Sequence, residues 1–236
     1  MTATLLNSLL RALLRWGAAL VFCLPLRHRT HFWARACGML FPLLLLAQLL
    51  DPLAQSTTLW QQQLLLLVLY ISFFALLGGM IYLCTDINKK GALYCAVWSL
   101  LIAQCAYESW CFLELQFTRY GHPLNMASPW AVLVQLLSGA VFFAAVYILL
   151  ARQLPYKGEY NIGPRQLFSA FFIGILFMVQ AAVLDNARAE HTPLSLTVTI
   201  LIGQFYFITL LYFQSELFKK SAMEKEMSEL NLLYER

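Results

Sequence analysis

The sequence FQSELFKKSAMEKEMSELNLLYER, residues 213–236, is where a chain of apolar runs changes into a charged helix. Its four seam positions follow one another at spacings of four, three and four residues: Met223, Met227, Leu230 and Tyr234. This spacing is typical of the a and d positions of a coiled coil, along which two helices pack. Helices this short are marginal alone in water. We therefore expect residues 214–236 to begin a longer connector that pairs with a second helix and continues past Arg236.

The composition before this stretch indicates a membrane protein. Apolar residues make up 61% of the chain and charged residues 12%, against about 25% charged in soluble domains. The net charge of +4 is explained by membrane topology, and we expect no nucleic acid partner. The six cysteines have neither CxxC spacing nor neighbouring histidines, so we interpret them as small apolar residues and predict no metal site.

The apolar residues form blocks about as long as the hydrocarbon core of a membrane is thick. Seven segments can be drawn: 5–26, 33–50, 60–84, 91–113, 130–151, 166–184 and 193–213. No soluble domain fits between them. The sequence therefore predicts an all-α polytopic membrane protein, with a seven-helix transmembrane domain at 1–213 and the start of a cytoplasmic coiled-coil helix at 214–236.

The distribution of Lys and Arg predicts the orientation of these segments. Most of the 16 basic residues fall in alternate loops and in the tail: Arg27, Arg29, Arg35, Lys89, Lys90, Arg152, Lys157, Arg165, Lys219, Lys220, Lys225 and Arg236. The opposite loops hold only Arg119 and Arg188. Because basic loops stay in the cytoplasm, we expect the N-terminus outside the cell and the tail inside, in a bacterial plasma membrane.

Polar side chains within the predicted segments mark a candidate ligand site. They are Arg11, Arg15, Gln104, Glu108, Gln135 and Gln180. With the predicted orientation, all six lie in the middle or outer part of the membrane, where an unpaired charge is costly. One interpretation is a water-filled cavity that opens to the outside and binds a ligand. The alternative for segment one is that its first fourteen or so residues lie flat on the membrane as an amphipathic helix. The two glutamines Gln135 and Gln180 also suit simple hydrogen bonds between helices.

No catalytic pattern is found in the sequence. There is no HExxH, GxSxG, P-loop or glycine-rich dinucleotide turn, and the segments contain one clear carboxylate, Glu108, and no histidine. We therefore predict no catalytic residue, cofactor or metal in this chain. A transporter or lipid-handling membrane protein with no kinase output stays open as an alternative function, although no repeat of two related halves is visible.

Four stretches resemble a known family: CLPLRHRTHFWAR at 23–35, KKGALYCAV at 89–97, GEYNIGPRQL at 158–167 and SELNLLYER at 228–236. They are similar to membrane-embedded sensor histidine kinases of the Agr-like group of Firmicutes-type bacteria, whose kinase part has a GHKL ATPase domain. The resemblance covers the chain from about Cys23 onward, and its motifs are short.

The resemblance implies a homodimeric receptor of a two-component system, used in relatives for quorum sensing. Its membrane part would detect an outside signal, a small ligand or a peptide. Its tail would lead to a phosphoacceptor histidine, an ATP and Mg²⁺ site and a cytoplasmic response regulator, none of which lies within these 236 residues. The full-length parent would be an ATP-dependent protein histidine kinase.

Overall fold

The computed structural model describes residues 2–54, 59–119, 129–155, 162–190 and 194–234. In these residues the chain forms seven α-helices, which confirms the predicted all-α fold. Their bounds are α1 Thr2–Cys23, α2 Phe32–Ala54, α3 Leu59–Cys84, α4 Lys89–Arg119, α5 Pro129–Val146, α6 Pro164–Glu190 and α7 Leu194–Tyr234. A π-helical turn, Tyr147–Ala151, extends α5.

Local sequence signals fix several helix ends. Asn88 caps α4, because its side-chain oxygen accepts a 2.7 Å hydrogen bond from the backbone N–H of Gly91, one of the amides that a helix start leaves unsatisfied. Proline is the first residue of both α5 and α6, where its missing N–H costs nothing and its fixed φ suits the helix. His31 has a φ of 58° and turns the chain sharply into α2.

Helix α4 is the centre of the bundle. It contacts α1, α3, α5, α6 and α7, and every residue from 94 to 106 is buried. Trp98 and Tyr94 are the largest of its fully buried side chains, and Trp98 packs against Phe22 of α1 with 6.0 Å between the ring centroids. A helix that is buried on all sides belongs inside a protein core, so the other helices are arranged around α4.

The α1–α2 turn and the α3–α4 turn meet at one end of the bundle, which we call the tail end. His28 in the α1–α2 turn forms an antiparallel bridge with Thr85 in the α3–α4 turn, and Arg29 lies 3.8 Å from the carboxylate of Asp86. Near the α5–α6 turn, the ammonium of Lys219 in α7 donates to the backbone oxygen of Gln153 at 3.2 Å. The structure thus gathers most of the predicted basic loops at the end from which the tail leaves. Lys157 and Arg236 lie outside the described residues.

Several helices are long and apolar enough to cross a membrane, as expected for an integral membrane protein. Among the described residues, four stretches meet this criterion: Leu67–Cys84, Lys89–Thr118, Trp130–Ala151 and Thr197–Tyr234. Two shorter apolar helical stretches, Phe32–Gln48 and Pro164–Gln180, accompany them. The outward faces carry large apolar side chains, such as Val141, which is 70% exposed, and Phe168, which is 74% exposed. Such faces suit contact with lipid better than contact with water.

Helix α7 joins the bundle to the tail without a break. It runs for 41 residues, or about 60 Å at 1.5 Å per residue. Its first half packs on α4 and α6, whereas almost every residue from 220 to 234 is exposed. A shift or rotation of its packed half would therefore move the exposed half as one rod.

Candidate functional site

A small cavity lies between α1, α3 and α4. Its volume is about 10 Å³, which is room for about one water molecule. It is lined by Arg11, Leu14, Arg15, Tyr70, Ala103, Gln104 and Tyr107. The structure therefore brings together three of the residues predicted from sequence, but in a space much smaller than a ligand pocket of about 300 Å³ or more.

Arg11 binds Tyr107 in two ways. Its Nη2 donates a 2.6 Å hydrogen bond to the phenol oxygen of Tyr107, and its guanidinium carbon lies 4.5 Å from the centroid of the same ring. A cation above an aromatic ring is stabilised by the negative face of the ring, and more so away from water. Tyr107 thus holds the charge of Arg11 against α4.

Arg15 is more deeply placed than Arg11. Its residue is 8% exposed, and its guanidinium carbon lies 3.9 Å from the centroid of Phe73 in α3. Because Arg15 is eight residues before the end of α1 at Cys23, it lies about 12 Å from the tail end along the helix. The neighbours Leu10, Ala12 and Leu14 are buried too, so this part of α1 packs within the bundle.

The acidic member of the cluster is Glu108. It is 2% exposed, and its Oε1 accepts a 3.1 Å hydrogen bond from Nε2 of Gln104, one turn earlier in α4. The two residues are four apart and therefore share a helix face, on which they contact each other directly. This part of the bundle therefore holds two guanidinium groups and, one residue after Tyr107, a buried carboxylate, and buried charges of this kind are sensitive to substitution.

Gln135 in α5 lies at the same level of the bundle. A methyl group added at Gly139, one turn after Gln135, would meet Leu14 of α1 at 3.5 Å, and α5 also contacts α4. Gln135 is 2% exposed, and among the described residues neither its amide nitrogen nor its amide oxygen has a hydrogen-bond partner. Such a buried amide costs free energy unless it binds something.

Gln180 lies away from this cluster, between α6 and α7. Its Nε2 would collide with a Cβ added at Gly203 of α7, so glycine is what allows the amide to fit. Helix α6 packs on α3, α4 and α7, which separates Gln180 from the arginines of α1. The sequence placed the six polar residues at similar depths. The structure brings Arg11, Arg15 and Gln104 to one cavity, with Glu108 bonded to Gln104, whereas Gln135 lies at a similar level and Gln180 lies apart.

A second polar cluster, near the tail end, was not predicted from the sequence. Tyr94 of α4 has its hydroxyl close to Ser215 of α7 and Gln166 of α6, and all three residues are buried. One position before Ser215, Gln214 donates from its amide to the backbone oxygen of Gln166 at 3.1 Å. We call Tyr94, Gln166, Gln214 and Ser215 the α7 clamp, because they tie the tail end of α7 to α4 and α6.

The predicted tail seam is exposed. Met223 is 38% exposed, Met227 65%, Leu230 48% and Tyr234 88%. All four lie on one side of α7. Past the bundle, this part of α7 packs on no other helix in the described part of the chain. Exposed apolar residues in a regular stripe are typical of a surface that packs against a partner.

Comparisons with known proteins give no relative from which a function could be transferred. No family model matches the sequence, and no curated protein and no solved structure is significantly similar to the chain. The features of this chain that bear on function are therefore its two polar clusters and α7.

Proposed function

We propose that this chain is the signal-sensing membrane domain of a sensor histidine kinase. Its seven helices would span the membrane with the N-terminus outside, and the tail would pass the signal to a kinase portion inside the cell. The observation that carries the proposal is the continuity of α7, which is packed in the bundle at one end and exposed, charged and striped with apolar residues at the other.

The proposed orientation is supported by the contacts at the tail end. The bridge between His28 and Thr85 and the bond from Lys219 to Gln153 hold three basic turns and the tail at one end of the bundle. Positively charged segments stay on the cytoplasmic side. Arg11, Arg15 and Glu108 would then lie in the middle to outer part of the membrane, with Arg15 nearest the middle.

The size of the cavity bears on how a signal would act. A ligand group larger than water can reach Arg11 and Arg15 only if α1 and α4 separate. Binding would then favour an open arrangement over the closed one, by the difference in affinity between the two states. A coupling of about 1 to 3 kcal/mol is usual for such systems, and it changes output from severalfold to about a hundredfold.

A contiguous set of contacts links this cavity to the tail. Helix α4 lines the cavity with Gln104 and Tyr107 and packs on α7, with Tyr94 near Ser215 in the α7 clamp. A displacement of α4 would change the position of α7 at the clamp, and the continuous helix would carry that change to Met223 and beyond.

The test is disulfide cross-linking along the tail in the full-length protein. Single cysteines at Met223, Met227 and Leu230 should cross-link between two copies, and cysteines at Lys225 and Ser228, off the seam, should do so much less. Substitution of Glu108 by Gln in the buried cluster should alter the pattern. If the tail cross-links identically with and without Glu108→Gln while that variant changes the stability of the bundle, transmission through α7 is excluded.

A further inference from the structure

We infer that the dimer partner also covers the outward face of α7 inside the membrane, in the same heptad phase as the tail seam. The inference rests on the proposed function, because that proposal supplies the paired tail. The new element is a second dimer interface, on the apolar part of α7, which a second copy of this chain would cover.

The phase of the tail seam continues backward along α7. In the tail, Met223 and Leu230 are d positions and Met227 and Tyr234 are a positions. Counting back in steps of seven puts Ile202 and Thr209 at d and Tyr206 and Phe213 at a. All four are exposed, with Ile202 at 65%, Tyr206 at 64% and Phe213 at 61%. One face of α7 is thus left exposed from the bundle to the tail, apart from the half-buried Glu216.

The opposite side of α7 is the one that packs on the protein's own helices. Ile200, Gln204, Leu211 and Ser215 are buried, and in the same phase they occupy the b, c and f positions, which point away from a coiled-coil partner. The helix therefore presents one face to its own bundle and the other to a second helix. The drift of about 20° per heptad on a straight helix is absorbed if the two α7 helices form a left-handed supercoil.

The polar residues in this face fit a parallel pair of identical helices. The hydroxyl of Thr209 is satisfied within its own helix by a 2.7 Å bond to the backbone oxygen of Phe205, so it adds no unpaired group and allows close approach. Two copies inserted in one membrane have the same orientation, so their α7 helices run parallel.

The charges between the membrane part and the tail are complementary across such a pair. Glu216 and Lys220 fall at successive d and a positions, where a parallel pair brings two copies of the same residue together in each layer and leaves the opposite charge one layer away along the seam. Lys219 falls at g and Glu224 at the following e, the arrangement that forms salt bridges between parallel helices. Lys219 now lies 3.8 Å from Glu216 of its own chain. A polar pair within an otherwise apolar seam fixes register, which suits this face to a second copy better than to lipid alone.

The test is cysteine cross-linking of the whole chain in membranes, with the exposed Cys37 and the partly exposed Cys111 replaced by alanine. The α6 contacts supply matched controls, because Gln180 lies beside Gly203 and Gln166 beside Gln214. Val179 therefore lies at about the same height in the bundle as Ile202, and Phe172 at about the same height as Thr209. Both are exposed positions of α6 that lie outside the proposed α7 interface. Like residues at a and d positions approach closely enough for a disulfide, which needs roughly 4.4 to 6.8 Å between Cα atoms.

Ile202→Cys and Thr209→Cys should cross-link severalfold more than Val179→Cys and Phe172→Cys, as should Met223→Cys in the tail. A second outcome is that Met223→Cys cross-links while Ile202→Cys and Thr209→Cys cross-link no more than the controls. This outcome would overturn the inference, show that lipid covers the face and leave the proposed function intact. No cross-link at Met223, Ile202 or Thr209 would overturn both. Each variant is checked by thermal unfolding, since all these positions are exposed and the substitutions should leave the fold unchanged.

Discussion

The guanidinium of Arg15 in α1 lies over the ring of Phe73 in α3, with 3.9 Å between its carbon and the ring centroid. The contact joins the more deeply buried of the two cavity arginines to α3. It places the positive charge against the negative face of an aromatic ring inside the bundle.

The contact between Arg15 and Phe73 should be measurable as a coupling energy. In a double-mutant cycle of Arg15→Met and Phe73→Leu, we expect about 1 to 2 kcal/mol of coupling, the range for a cation and an aromatic ring away from water. The same cycle with Phe74→Leu is the control, because Phe74 packs against Phe171 instead. Unfolding of the purified protein in lipid nanodiscs gives both values, and equal coupling in the two cycles would contradict the contact.

Glu108→Gln should destabilise the bundle, because it removes a buried carboxylate that accepts a hydrogen bond from Gln104 and lies one residue after Tyr107, the partner of Arg11. Loss of one partner from a buried ionic group costs about 3 kcal/mol, whereas Gln104→Leu, which removes one hydrogen bond between these positions, should cost about 1 kcal/mol. The double variant Glu108→Gln with Arg15→Gln should recover part of the loss, since it removes one excess cation. A harmless Glu108→Gln would mean that the cluster does not need this carboxylate ionised.

Gly17→Ala should lower the thermal stability of the protein. The added Cβ would lie 2.9 Å from the ring of Phe143 in α5, and overpacking of this kind costs about 1 to 3 kcal/mol. Gly79→Ala in α3 is the matched control. Among the described residues no heavy atom outside the backbone of its own helix turn lies within 4 Å of the added Cβ, and alanine favours a helix over glycine by up to about 1 kcal/mol. The two substitutions should therefore shift the unfolding temperature in opposite directions, and Phe143→Leu should reduce the effect of Gly17→Ala.

Insertions after Lys220 should separate signal detection from output. Two glycines would rotate the tail by about 200° and loosen the helix, so changes in the buried cluster should no longer alter autophosphorylation of the full-length protein. Two alanines would rotate the tail but keep it helical, and seven helix-forming residues would restore the heptad phase. Output that survives two alanines as well as it survives seven residues would show that the phase of α7 is irrelevant.

Much of the fold was predictable because hydrophobic length and charge distribution are local properties. Seven apolar runs gave seven helices, and the four-residue spacing of Gln104 and Glu108 gave a real hydrogen bond. Which helices become neighbours is decided by packing over the whole bundle. That is why Gln180 was grouped with Arg11 from sequence, although α6 and α1 do not adjoin.

The aromatic members of the site were missed for a related reason. Tyr107, Tyr70 and Phe73 look like ordinary core residues of an apolar segment, and only the structure shows that Tyr107 and Phe73 face guanidinium groups. A tyrosine directly before Glu108 and three residues after Gln104 was the one available signal. The α7 clamp was missed because Tyr94, Gln166 and Ser215 come from three distant parts of the chain and meet only after folding.

The burial of α4 on all sides has a consequence for biogenesis. Helices that enclose α4 are synthesised both before and after it, and α7 is the last of them. Gln104 and Glu108 can meet Arg11 and Arg15 as soon as α4 has entered the membrane beside α1. The side of α4 that carries Tyr94 stays open until α6 and α7 have been translated. The central helix is therefore fully enclosed only after the ribosome has completed α7.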